Sequence, residues 1–239
     1  MIAGPIYLAA GGTGGHIFPA LAVAEAMNSK GYQSVLFTDR RGEKLLASMD
    51  KLPVSVKVIS AASPFQAGFV RRFSALAKLG LGALSCFWFI GINRPKIMIG
   101  FGGYPSFAPL LMSRLFNVPI MLHEQNAFLG RANRAIASRA KLLALSWPQT
   151  KNLPHGIRTH VTGMPVRTAF FNKNRPCCTN KKLVLTVLGG SQGAGILGNL
   201  VPDAIAMIEK PLRSKIRVNQ QARPEQIDQF HFRLAPRYF

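Results

Sequence analysis

Cysteine and acidic residues are both scarce in this chain. Three cysteines occur in 239 residues, Cys86 alone and Cys177 beside Cys178. That excludes a disulfide framework and any C-x-x-C metal spacing, and makes a reducing cytoplasm the simplest compartment. Nine Asp and Glu stand against 30 Lys and Arg, a formal net charge of +21. Such a surplus implies an anionic partner: nucleic acid, a phosphate-bearing substrate or an anionic membrane leaflet. Zinc-finger spacings and RNP-like aromatic motifs are missing and the basic residues are scattered, which argues against nucleic acid. No basic n-region precedes the first apolar stretch, and glycines interrupt it, so no signal peptide is expected. The uncharged run from Leu79 to Asn93 carries glycines at 80, 82 and 91 and falls short of the ~20 residues of a spanning helix.

What is present is a chain that can bury a core, 48% hydrophobic and 16% charged, in one large or two modest domains. Its most informative segment is Gly11-Gly12-Thr13-Gly14-Gly15-His16, after the apolar run Ile6 to Ala10 and before the helix-like stretch Pro19 to Met27. A strand, a glycine loop and a helix N-terminus in that order suit a phosphate or a sugar; a tight turn with no ligand is the alternative. Four glycines are expected to reach positive φ and approach a ligand closely, and Pro19 to sit harmlessly near the helix start.

Further apolar runs at Ser34 to Thr38, Val54 to Ile59, Lys96 to Gly100, Pro119 to Leu122 and Leu142 to Leu145 predict successive strands of a parallel sheet with covering helices, an α/β fold. Residues directly after strands line the crevice of such a sheet. Here these are Gly102-Gly103-Tyr104 and His123-Glu124-Gln125-Asn126. After a polar, proline-containing stretch from Asn172 to Lys182, the run Leu183 to Leu188 followed by Gly189-Gly190-Ser191-Gln192-Gly193-Ala194 restarts the pattern, as a second domain would.

GGTGGH at 11–16, GGYPS at 102–106, HEQN at 123–126, GMPVRT at 163–168 and GGSQGA at 189–194 occur in the order that marks one enzyme family. Over residues 4 to about 226 the chain resembles the MurG family, the bacterial N-acetylglucosaminyltransferases that turn lipid I into lipid II in peptidoglycan synthesis, a process tied to cell shape and division. The resemblance implies a GT-B fold of two Rossmann-like domains, with the lipid-linked acceptor mainly on the first and UDP-N-acetylglucosamine mainly on the second. On that basis residues 1–163 are the acceptor and membrane domain, 164–180 an interdomain linker and 181–226 the start of the donor domain. The implied reaction is inverting transfer of N-acetylglucosamine from UDP to the 4-hydroxyl of the muramoyl sugar, which needs a general base and a stabilised leaving group.

His16 is the first candidate for base or acceptor positioning, since imidazole titrates near pH ~6.5; helix capping is its other reading. Glu124 is the rival base, and it would need a raised pKa; with His123 it could equally be structural. The resemblance carries Thr13, Gly14 and Gly15 to the loop that reaches the donor sugar, Asn126 to the amide that contacts N-acetylglucosamine, Arg167 to a donor-contacting arginine and Ser191 to a hydroxyl that binds the nucleotide. Tyr104 lines the acceptor side or packs near its strand end. No D-x-D pair occurs, which fits phosphate stabilisation by backbone and helix dipole, with no metal and no cofactor, as the family implies.

Phe65, Phe69, Phe73, Leu76, Leu84 and Phe87 recur at roughly helical spacing, with Arg71, Arg72 and Lys78 interleaved. Such a surface can lie in a leaflet or pack on the sheet. The resemblance favours peripheral attachment to anionic lipid on the cytoplasmic face of the inner membrane through Phe69, Arg71, Arg72, Phe73, Leu76 and Lys78. After Arg223-Pro224-Glu225 the likeness stops, and the tail 227–239 is unlike the family. A frameshift or premature stop is the reading this suggests, with a second domain that exposes apolar surface or is partly disordered, and weak or absent donor binding. An inactive remnant that binds membrane or acceptor is the alternative function.

Overall fold

The structure is a computed structural model that describes residues 4–61, 69–171, 182–190, 194–223 and 225–226; the side chains of residues 69–72 and 76 lie outside that description. The chain forms two units, Met1–Asn172 and Lys173–Phe239.

The first unit is built on seven strands: β1 (Ile6–Ala9), β2 (Ser34–Thr38), β3 (Ser55–Val58), β4 (Ile97–Gly100), β5 (Ile120–Glu124), β6 (Leu142–Leu145) and β7 (Thr159–Val161). All pair in parallel in the order β3-β2-β1-β4-β5-β6-β7. The helices between them are α1 (Gly14–Asn28), α2 (Arg40–Leu46), α3 (Phe69–Asn93), α4 (Tyr104–Leu115) and α5 (Arg131–Ala137). Central strands must be apolar on both sides, because a parallel sheet is covered on both faces. β1 meets this with four buried residues. Tyr7 and Ala9 join Phe37, Cys86, Ile90, Met98, Leu110 and Leu122 in one core cluster, while Ile6 and Leu8 join Ile17, Leu21, Leu36 and Phe101 in the other. The rings of Tyr7, Phe37 and Phe89 meet with centroids 5.4–5.6 Å apart. Burial pushes the Tyr7 hydroxyl and the Cys86 thiol each up to about 12, with Lys57 partly opposing the shift at Cys86. Cys86 is thus a packing residue.

The chain builds outward from β1 to β2 and β3, then returns through α3 to place β4 on the other side of β1. This reversal is the topological switch point, the place beside which ligands of open parallel sheets bind, at the carboxyl ends of the strands.

Three sequence expectations are corrected. Pro19 is not in the first turn: α1 opens at Gly14 and Pro19 lies inside it, where its missing N–H withdraws a donor from the carbonyl four residues back. β5 extends through Glu124, so His123 and Glu124 belong to the strand and not to the loop after it. The apolar helix is also longer than its uncharged run. α3 spans 25 residues, and its segment Phe73–Asn93 is long and apolar enough to cross a membrane by length and composition alone. Ala75 is nonetheless buried, and Cys86 and Ile90 pack in the core cluster of the sheet, while Phe73, Leu81, Leu84, Trp88 and Ile92 are exposed.

The second unit contains β8 (Leu183–Val187), α6 (Gly195–Ala206), α7 (Lys210–Arg213) and β9 (Ile216–Gln220), with β8 and β9 parallel across the two helices. Two strands cannot cover their own faces. Leu183, Val184 and Leu185 of β8 are exposed, as are Leu188, Ile196, Leu200 and Met207, the last at 87%.

Candidate functional site

The carboxyl ends of β1, β4 and β5 bring three of the sequence motifs together. The loops after β1 and β4 are zipped by their main chains: Gly11 N–H donates to Gly102 O at 2.9 Å, and Phe101 N–H to Ala9 O at 2.8 Å. A Cβ on Gly11 would lie 2.7 Å from Gly103 Cα, so the two loops touch backbone to backbone. None of Gly11, Gly12, Gly14 and Gly15 takes positive φ, contrary to expectation; Gly102 and Gly103 do, at 91° and 79°. In the first loop glycine is needed for lack of a side chain: at Gly11 against Gly103, and at Gly12 against the Asp39 carboxylate and Arg41, whose Cβ would be 2.7 Å away. Gly14 and Gly15 are simply the first residues of α1.

Thr13 is the N-cap of α1 in an extended conformation and makes no side-chain cap. His16 does not cap either. Its N–H donates to Thr13 O, and its ring lies across the second loop, Cε1 and Nδ1 being 3.2 and 3.4 Å from where a Cβ on Gly102 would stand. The ring's Nδ1 is buried without a hydrogen-bond partner among the described residues. Tyr104, half-buried, is the first residue of α4 directly after Gly103.

At the end of β5, Glu124 is 1% exposed and binds four N–H donors. Its Oε1 accepts from the Asn126 backbone N–H at 3.0 Å and from Asn126 Nδ2 at 2.9 Å; Oε2 accepts from Gly130 N–H and Asn133 Nδ2, both at 2.9 Å. One carboxylate therefore folds the 126–130 loop and holds the start of α5. A base needs a free lone pair facing the substrate, and here each oxygen already serves two donors. Asn126 is exposed, with its amide nitrogen held by Glu124.

His123 donates from Nε2 to Gly163 O at 3.1 Å; since a carbonyl only accepts, Nε2 carries the proton. The ring meets that of Phe101 at a tilt of 39°, centroids 5.7 Å apart. Burial holds its pKa below the usual imidazole value, with the Gly163 carbonyl and the Glu124 charge opposing. The Gly163 carbonyl begins the 163–168 segment, at whose far end the Arg167 guanidinium stacks on Phe18 at 4.6 Å and Phe170 at 5.4 Å. A planar guanidinium on aromatic faces is attractive and oriented, so Arg167 is an anchored side chain.

Ser191, and the side chains of Phe69, Arg71, Arg72 and Leu76, lie outside the described residues. Phe73 and Lys78 are exposed on α3. In the second unit Gln221 holds the described part of the second glycine loop, accepting from Gly189 N–H at 2.9 Å and donating to Gly190 O at 3.0 Å. Among the described residues no group of His, Cys, Asp and Glu is arranged for a metal.

Sequence reasoning missed two features of this site. Asn133 is 1% exposed and ties the strand to α5, donating also to His123 O at 3.1 Å; an asparagine amid the alanines of a short helix was the only signal. The pair Asp39 and Arg41 comes against Gly12 only through the sheet.

Residues 6–144 match the glycosyltransferase family 28 N-terminal domain. The chain belongs to glycosyltransferase family 28. It is 42% identical over 241 residues to a Granulibacter bethesdensis protein named UDP-N-acetylglucosamine--N-acetylmuramyl-(pentapeptide) pyrophosphoryl-undecaprenol N-acetylglucosamine transferase, covering 97% of this chain and 62% of that one. A protein of the same name from Agrobacterium fabrum is 39% identical over 230 residues, covering 94% and 60%. Among solved structures, Acinetobacter baumannii MurG superposes with a TM-score of 0.70 at 26% identity, covering 97% of this chain and 64% of that one. UDP-GlcNAc 2-epimerase from Neisseria meningitidis, at 14% identity and a TM-score of 0.57, shares the fold. The chain thus spans about 60% of the length of the curated relatives it matches.

Proposed function

We propose that this family 28 chain carries the acceptor half of a glycosyltransferase that moves N-acetylglucosamine from UDP-N-acetylglucosamine to lipid I, forming lipid II for the cell wall. The observation that carries the reading is the meeting of His16, Gly102-Gly103 and the Glu124-organised loop at the switch point of the sheet. Residues 1–163 form the acceptor and membrane domain, 164–180 the linker, and 181–226 the start of the donor domain. In the transfer, the acceptor hydroxyl gives its proton to His16 as the oxygen attacks the anomeric carbon and UDP leaves with the bonding electrons. Nδ1 is buried against Gly102, so Nε2 is the nitrogen that receives the proton. Glu124 positions Asn126 and is not the base. Thr13, Gly14 and Gly15 frame the sugar, Tyr104 lines the acceptor side, Arg167 meets the donor, and Ser191 binds the nucleotide.

The exposed face of α3, with Phe73, Leu84, Trp88 and Lys78, supports peripheral attachment to an anionic inner leaflet. Apolar contact and about 1 kcal/mol per basic residue near the surface supply the binding energy. A second reading, binding of membrane or acceptor without transfer, is favoured by the exposed strand β8. The test is transfer of labelled N-acetylglucosamine to a lipid I analogue by the 239-residue chain, beside a flotation assay with anionic vesicles. Product supports the enzyme; flotation without product supports the second reading; neither overturns both.

A further inference from the structure

The loop after β2 lies beside the glycine loop after β1, because Ala9 pairs with Phe37 and Ala10 N–H donates to Phe37 O at 3.0 Å. Asp39 follows β2 as the N-cap of α2. It is buried, and its two oxygens divide their work: Oδ1 accepts from Gly42 N–H at 3.1 Å and Oδ2 from Arg41 Nε at 2.9 Å. Arg41 is the opposite in exposure, its side chain being 67% open to solvent. Its stem is pressed on Gly12, with Cβ at 2.7 Å and Nε at 3.1 Å from where a Gly12 side chain would begin. A guanidinium held at Nε is restrained in position, and its two terminal NH2 groups make no hydrogen bond among the described residues that would occupy them. The glycine loop, the open end of α1 and this oriented fork therefore share one edge of the crevice.

We propose that Arg41 is a phosphate-binding residue of this crevice, with Asp39 as its positioning residue, and that it takes the diphosphate of the lipid-linked acceptor. The inference rests on the acceptor reading above and adds to it the cation that the loop itself lacks: residues 10–16 contain no Lys or Arg. Backbone N–H groups alone hold a diphosphate by partial charges, whereas a forked guanidinium adds paired charge-assisted bonds. Asp39 is neutralised by Arg41 and bound to Gly42, so it presents little repulsion to the anion.

The test measures binding by fluorescence anisotropy, using the full 239-residue chain and a labelled short-chain prenyl-diphosphate analogue of the acceptor, with UDP as the second diphosphate probe. Arg41→Ala should weaken the acceptor analogue about ten- to hundredfold, in a chain whose circular dichroism shows that it stays folded, since the change also takes the partner from Asp39 Oδ2. Arg41→Lys should restore part of the loss, and Asp39→Asn should fall between wild type and Arg41→Ala. Equal binding by wild type and Arg41→Ala overturns the inference while leaving the acceptor reading intact. Weakening of UDP alone overturns the acceptor assignment. Failure of the wild-type chain to bind the analogue overturns the acceptor reading and this inference with it.

Discussion

Glu25 in α1 accepts two hydrogen bonds from Thr168, one from the backbone N–H at 3.1 Å and one from the hydroxyl at 3.2 Å. Seven residues earlier, on the same side of the helix, Phe18 carries the guanidinium of Arg167. With His123 holding Gly163, the 163–168 segment is fastened at both ends to the first unit. It is not a free tether.

The fastening predicts protection from protease. The Arg167–Thr168 bond is a trypsin site whose N–H is bound to Glu25, so cleavage requires local opening. Glu25→Ala removes two bonds to a charged acceptor, and cleavage at that bond should quicken about tenfold, in line with ~1–1.5 kcal/mol. Mass spectrometry of timed digests measures it; unchanged cleavage would show that the contact protects nothing.

Glu124→Gln separates a base from an organiser. A base variant would lose turnover and keep its stability. Glutamine instead sets an NH2 group against N–H donors that now have no acceptor, and the expected loss is about 3 kcal/mol, or roughly 6–12 °C in Tm. Calorimetry reporting an unchanged Tm would return Glu124 to the candidates for the base.

Gly11→Ala should be as damaging although it adds one methyl group. That methyl would meet Gly103 Cα at 2.7 Å and Pro105 Cδ at 3.1 Å, and backbone on one side cannot yield as a side chain does. A loss of about 2–3 kcal/mol follows, read as a lower urea midpoint with an unchanged m-value. A variant as stable as wild type would mean that the loops separate easily.

His123 makes stability depend on pH in a stated direction. Its folded pKa lies below the unfolded value, chiefly through burial, so between the two values the unfolded chain binds more protons and stability rises with pH. The contribution is complete above about pH 6.5 and is lost as pH falls toward the folded value, with a slope of at most ~1.4 kcal/mol per pH unit. His123→Gln should flatten this part of the curve; an identical slope would assign it to other groups.

How much of this was legible in sequence depends on the range of the forces involved. β1, its glycine loop and α1 were readable because a buried strand, a run of glycines and an alanine-rich helix are all local signals. β7 was not foreseen: Thr159-His160-Val161 is exposed at every position, so no apolar pattern marks it, and its pairing with β6 alone makes it a strand. The apolar run ends at Leu122, so sequence alone ends the strand there, and a charge inside a parallel strand is costly unless paired. The partners of His123 and Glu124, namely Gly163, Asn126, Gly130 and Asn133, come from segments that fold back on the strand end. The Asp39, Arg41 and Gly12 contact has the same origin.

The contact of Gly11 with Gly103 gives the crevice a bed of bare main chain. A molecule resting there meets amides and α-carbons that are the same in every residue type. Side chains around the bed, such as those of Arg41, Tyr104 and Asn126, can be exchanged, but point changes cannot resurface the bed itself without filling the gap. Any substitution that fills the bed also wedges the two loops apart, so its shape is tied to the stability of the fold.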